Sequence, residues 1–131
     1  KNEYQRMQLP NLQWRFTQLN SRCELCPSYP PVLVVPANVT DTKLKVASKF
    51  RTSGRLPVLC WKNPLGNTCI FRSSQPRLGL KRNRSEIDEQ LLHIFGQLTN
   101  PDLLIHGGKS LLVIDCRPQA NAVGNVAKGG N

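Results

Sequence analysis

Phe50–Pro76, FRTSGRLPVLCWKNPLGNTCIFRSSQP, is the stretch on which the reading of the chain turns. Two short apolar segments, Leu56–Trp61 and Thr68–Arg72, are bounded by Gly, Pro and Asn, the pattern of strands buried in a sheet. Between them Pro64 presets φ, and Gly66 and Asn67 tolerate positive φ, so Lys62–Asn67 reads as a connecting turn. A polar, basic lip stands on each side: Arg51-Thr52-Ser53-Gly54-Arg55 before, and Arg72-Ser73-Ser74-Gln75-Pro76 after.

Downstream, Arg77–Arg84 reads as a solvated basic loop. Ser85 is a good N-cap, with Glu86, Asp88 and Glu89 set against the helix dipole. Ile87, Leu91, Leu92, Ile94, Phe95 and Leu98 recur at helical spacing, which predicts a helix over Glu86–Leu98, ended by Asn100 and Pro101. His93 has no visible catalytic partner and reads as a surface histidine. After the short apolar run Leu103–Ile105 and a turn at His106–Lys109 comes LLVID, Leu111–Asp115. Such an uninterrupted apolar run predicts a central strand buried on both faces. Pro118 can open a helix, expected over Ala120–Lys128.

Upstream, Asn11–Asn20 is expected to form a short helix with Leu12, Arg15, Phe16 and Leu19 on one face. The Pro-rich Pro27–Pro36 must be extended, with Val32–Val35 pairing as an edge strand. Asn38–Asp41 reads as a cap for a helix over Thr42–Phe50 that turns Leu44, Ala47 and Phe50 inward, stopped by Gly54.

The 131 residues suit one domain or part of one. No apolar run approaches the roughly 20 residues that cross a bilayer, and KNEYQRMQ lacks the apolar core of a signal peptide. A cytoplasmic protein is expected. The net charge of +10 favours an anionic partner: nucleic acid, an anionic membrane surface or a phosphorylated small molecule. Only 2 Trp and 2 Tyr, scattered rather than interleaved with Arg, make a poor stacking platform, so no nucleic acid is expected. Arg51, Arg55, Arg72 and Arg77 flank the strand pair, where they support the sheet edge or meet an anionic membrane. The 5 cysteines fit reduced thiols better than a disulfide framework. Cys60 and Cys69 fall in apolar strand patterns and are expected to pack as small hydrophobes. Cys23 and Cys26 have the spacing of half a zinc site, but His93 and His106 are too distant to complete it. No metal and no cofactor is expected.

The hairpin stretch resembles the myotubularin family of phosphoinositide phosphatases, and the resemblance runs through nearly the whole chain in order. It is carried by FRTSGRLPVLCW and RSSQP, by Glu3–Met7 and Tyr29-Pro30-Pro31, by Ile114-Asp115-Cys116-Arg117-Pro118, and by Asn121–Gly130. It implies an α/β fold, part of a protein-tyrosine-phosphatase-like domain with a mixed sheet and flanking helices. Residues 1–131 would be its N-terminal portion.

Members use a cysteine thiolate in a Cys-x5-Arg loop, whose N–H groups and Arg hold the phosphate. None of Cys23, Cys26, Cys60, Cys69 or Cys116 has Arg six positions on, so no catalytic residue is assigned. The resemblance puts that loop downstream of residue 131. It implies that Asn125 contacts the phosphoinositide headgroup, and Lys128 could add attraction for a polyanion. Val126 and Asn131 stand where the family commonly has a basic residue and a third glycine. Asp115 beside Arg117 reads as an ion-paired strand-end acid rather than a general acid.

The expected parent is a phosphoinositide 3-phosphatase acting on phosphatidylinositol 3-phosphate and its 3,5-bisphosphate through a cysteinyl-phosphate. The alternative is an inactive pseudophosphatase adaptor of the same family. Expected partners are the lipid headgroup, an anionic membrane surface, and other myotubularins in a homo- or heterodimer. The expected location is cytoplasmic and peripheral on endosomal or other membranes.

Overall fold

The computed structural model describes residues 2–79, 82–100 and 111–127; the side chains of Asn2, Ala122, Asn125, Val126 and Ala127 lie outside that description. In chain order the elements are α1 (Asn2–Arg6), β1 (Trp14–Thr17), β2 (Leu33–Pro36), α2 (Asp41–Lys49), a 3-10 turn at Thr52–Gly54, β3 (Val58–Lys62), β4 (Cys69–Arg72), α3 (Glu86–Thr99) and α4 (Gln119–Ala127). The run Leu103–Ile105 and the turn His106–Lys109 lie outside the described residues.

The hairpin forms as its sequence dictates. β3 and β4 pair antiparallel, with Lys62 opposite Cys69 and a register shift between Leu59 and Trp61. Asn63 organises the turn: its N–H donates to Thr68 O at 2.9 Å and its Oδ1 accepts from Leu65 N at 3.1 Å. Lys62 turns inward and its Nζ donates to the carbonyls of Asn63 and Gly66, both at 3.0 Å. Cys60 sits at the irregularity and is exposed, and Cys69 is half-buried. The expectation of packed thiols fails at Cys60 because the bulge turns it outward.

Asn11–Asn20 is not a helix. Trp14–Thr17 is a strand paired with β2, Trp14 opposite Pro36 and Thr17 opposite Leu33. The residue that decides this is Trp14, 1% exposed, whereas Leu12 of the supposed apolar face is 100% exposed. Trp, Phe and Thr suit a pleated surface, and β2 offers a ladder that a lone helix turn could not match. β2 is buried at every position and lies against β3 as well as pairing with β1. It is therefore more enclosed than the edge strand expected from Val32–Val35.

Thr40 caps α2 and Ser85 caps α3, each accepting a backbone N–H three residues on, from Lys43 and Asp88. Leu44 and Ala47 of α2 are buried, as are Leu91 and Phe95 of α3. Phe95 stacks on Trp14 at 5.9 Å between centroids and lies 4.3 Å from Phe71, so three rings tie β1, β4 and α3 together.

Two polar centres hold the loops. Asn20, 1% exposed, presents its amide nitrogen to the carbonyls of Cys26, Tyr29 and Pro30 and accepts from Cys26 N. This fastens the Pro-rich segment, and Gly54 lets the 3-10 turn approach it. At φ +67 a Cβ on residue 54 would stand 2.2 Å from Leu25 O. Arg51 and Asp88 form a buried fork, Nε to Oδ1 at 2.8 Å and Nη2 to Oδ2 at 2.6 Å. The third Arg51 donor, Nη1, reaches Ser74 O at 2.8 Å.

A further expectation needs correction. Leu111–Asp115 forms no strand, and Leu112, Val113 and Ile114 are exposed. A strand needs neighbours for its backbone groups, and among the described residues none pairs with this run. The described sheets are two antiparallel pairs; no parallel pairing that would make a mixed sheet occurs among the described residues. The architecture is an α/β assembly of helices and small antiparallel sheets.

Removing one partner of the buried fork leaves an uncompensated charge. Asp88→Ala should lower stability by about 3–5 kcal/mol in urea unfolding, and the pair Arg51→Met with Asp88→Leu should recover most of that. A loss below about 1 kcal/mol for Asp88→Ala would show that the fork does not hold α3.

Candidate functional site

The lip after β4 is built onto the turn before β3. Ser74 N donates to Arg55 O at 3.0 Å, Ser74 Oγ donates to Thr52 O at 2.7 Å, and Thr52 N donates to Gln75 O at 3.2 Å. Arg51 bridges Pro76 across the same gap. The two basic lips read from the sequence are thus one folded edge.

Their cations have different fates. Arg51 is buried in the fork with Asp88, so it supports the edge and does not face a membrane. Arg55 Nε donates to Ser28 Oγ at 2.8 Å. Arg72 and Arg77 are exposed. Beneath Arg72, Tyr29 Oη donates to Arg72 O at 3.1 Å, and burial pushes the phenol up to about 12.

α4 starts immediately after Pro118, whose carbonyl accepts from Asn121 N at 2.9 Å. It begins one residue before the expected Ala120, because Pro118 supplies a φ already suited to a helix start. At its foot Arg117 donates through Nε to both Asp115 oxygens, at 2.9 and 3.0 Å, and its backbone N–H donates to Oδ1 at 3.0 Å. Arg117 Nη1 also bonds Gln75 Oε1 of the folded edge. The Arg117 side chain, with its backbone N–H, holds the Asp115 carboxyl down at about 2. Asp115 is therefore an ionised acceptor near neutral pH, with no proton to donate, as the ion-pair reading expected.

Asn125 lies in α4, with its side chain outside the described residues, and Lys128 lies outside them altogether. Asp88 and Gln75 carry connections that sequence reading missed. Asp88 had a signal, since it sits three and seven residues before the buried Leu91 and Phe95. Gln75 had none, being 42 residues from Arg117.

No described thiol is a ready nucleophile by its surroundings at the hairpin. Burial pushes Cys69 up to about 11, and partial desolvation by neighbouring residues raises Cys60 although it stands outward at the bulge. Cys26 is buried and hydrogen-bonded to Ser28, so this member of the Cys-x-x-Cys pair packs in the core. Among the described residues no group of three His, Cys, Asp or Glu could hold a metal. A hollow of about 390 Å³ on α3 is lined by Glu86, Glu89, Gln90, His93 and Ile94, and its carboxylates disfavour an anion.

The whole chain, residues 1–131, matches the model of the myotubularin-like phosphatase domain, and the chain belongs to that family. It is 43% identical over 129 residues to the phosphatidylinositol-3,5-bisphosphate 3-phosphatase MTMR2 of Bos taurus, covering 98% of this chain and 19% of that protein. It is 42% identical over 128 residues to the myotubularin of Xenopus laevis, covering 98% and 20% respectively. The chain spans about a fifth of the length of the curated relatives it matches.

A phenol held neutral by burial stabilises the folded state only while it keeps its proton. Tyr29 should ionise near pH 12 by absorbance at 295 nm, and stability should fall as pH rises from about 10 to 12. Tyr29→Phe should abolish that late ionisation; a Tyr29 transition near pH 10 in the folded protein would contradict it.

Proposed function

We propose that this chain is the N-terminal part of the catalytic domain of a phosphoinositide 3-phosphatase. The substrates are phosphatidylinositol 3-phosphate and phosphatidylinositol 3,5-bisphosphate. A thiolate in a Cys-x5-Arg loop, carried by sequence outside these 131 residues, attacks phosphorus and the bond to the inositol 3-oxygen breaks, that oxygen taking a proton from water; a second water then hydrolyses the cysteinyl-phosphate, releasing phosphate and the thiolate. This chain supplies scaffold, with Asn125 hydrogen-bonding the headgroup and Lys128 adding positive charge.

The observation that carries the reading is the 43% identity, across 98% of the chain, to a protein named as a 3,5-bisphosphate 3-phosphatase. The in-order motifs from Glu3 to Gly130 and the net charge of +10 support it. The tyrosine-phosphatase-like fold and its mixed sheet are part of the same proposal. So are a peripheral position on endosomal or other membranes from the cytoplasmic side, and pairing with other myotubularins. No helix among the described residues is long and apolar enough to cross a membrane.

A second reading, an inactive adaptor of the same family, is favoured by Val126, an uncharged residue where the family commonly carries a basic one. Phosphate release by the full-length protein separates the two. An active phosphatase frees phosphate from both lipids and little from phosphatidylinositol 4-phosphate; no release from any of them favours the adaptor. Asn125→Ala should reduce kcat/KM by about 10- to 100-fold, the range set by losing a hydrogen bond to a charged group. Unchanged kinetics in that variant would remove Asn125 from the site.

A further inference from the structure

The segment 111–127 meets the rest of the described residues at few points. Leu111 packs against the core, but Leu112–Cys116 are exposed and pair with no described strand. Gln119, Ala120, Asn121, Val123 and Gly124 of α4 are exposed as well, so no described side chain of the helix buries a face. Among the described residues, the side-chain hydrogen bond between this segment and the rest of the fold is Arg117 to Gln75.

The tie is well built for setting direction. A guanidinium is planar and always charged, and it fixes its own orientation when two edges are engaged. Here Nε and Nη2 hold Asp115, Nη2 at 2.5 Å, while Nη1 holds Gln75. The Gln75 backbone is held in place: its carbonyl accepts from Thr52 N, and its neighbour Ser74 is bonded to Arg51, Thr52 and Arg55. The connection runs from the buried fork at Asp88 through Arg51, Ser74 and the Gln75 backbone to the Gln75 side chain and Arg117. Pro118 follows at once with a fixed φ, and α4 begins at Gln119. Asn125 stands six residues beyond that start, about 9 Å along the axis at 1.5 Å per residue. A tilt of roughly 10° at the foot would displace it by about 1.5 Å over that lever.

We propose that Arg117 is a positioning residue for headgroup recognition: by locking the foot of α4 to Gln75, it sets where Asn125 meets the phosphoinositide. This rests on the reading of Asn125 as a headgroup contact.

The test is a double-mutant cycle in the full-length protein, with the cysteine of any Cys-x5-Arg loop changed to serine to prevent turnover. The probe is water-soluble short-chain phosphatidylinositol 3-phosphate, titrated calorimetrically. Arg117→Ala should weaken binding about tenfold, the scale on which misplacement by an ångström or so is felt. Gln75→Leu, which leaves the Asp115 pair intact, should weaken it in the same direction. Arg117→Lys should fall between, because an ammonium keeps the charge but loses the fork. In an Asn125→Ala background, Arg117→Ala should change affinity by less than about twofold, since coupled residues are not additive. A merely structural role would lower affinity in both backgrounds. If Arg117→Ala disturbs folding, seen as a lowered melting temperature, Gln75→Leu alone decides. Wild-type affinity in Arg117→Ala and Gln75→Leu, or equal losses with and without Asn125, would overturn the proposal while leaving the Asn125 reading intact. Wild-type affinity in Asn125→Ala alone would instead remove the headgroup contact, and the positioning role with it.

Discussion

Arg51 and Asp88 meet out of water, 6% and 3% exposed, and much of the chain is arranged around their contact. Removing two charges from solvent is costly, and only good geometry with full hydrogen bonding offsets it. The fork meets that condition, with two short bonds to Asp88 and a third to Ser74 O. Its effect is to fix three things at once: the turn after α2, the first turn of α3, and the lip leaving β4. Once α3 is placed, Phe95 falls against Trp14 and Phe71, and the two small sheets share one core.

The same contact reaches the edge that Arg117 holds. Ser74 and Gln75 are held on the Arg51–Arg55 turn, and Arg117 takes hold of that edge from the other side. A rigid hairpin and α3 therefore meet a segment whose apolar residues Leu112–Ile114 face solvent. Exposed apolar runs of this kind mark surfaces made for contact. They belong to a family in which the relatives are about five times as long as this chain.

Much of the local structure was legible. The hairpin could be read from its breakers, α3 from Ser85 and the apolar spacing that follows, and α2 from Leu44 and Ala47. The failures share a cause. Trp14–Thr17 lacks any strand signal strong enough to outweigh Leu12, Phe16 and Leu19 at helical spacing, and β2 as a partner decides the matter. LLVID has the composition of a buried strand, but composition does not supply neighbours. The candidate site was legible only in part: Asn125 came from resemblance and Lys128 from its charge close by, whereas Arg117–Gln75 came from contacts across 42 residues.

By itself, the order of amino acids determined where the backbone turns, caps and stops, because Pro, Gly, Asn and Ser act on φ and on N–H groups within a few residues. It also determined family membership, through motifs spread from Glu3 to Gly130. Tertiary structure alone decided which extended segments pair, which of the arginines is buried, and how α4 is tethered. Those outcomes depend on groups dozens of residues apart reaching hydrogen-bond distance, and no local pattern encodes that distance.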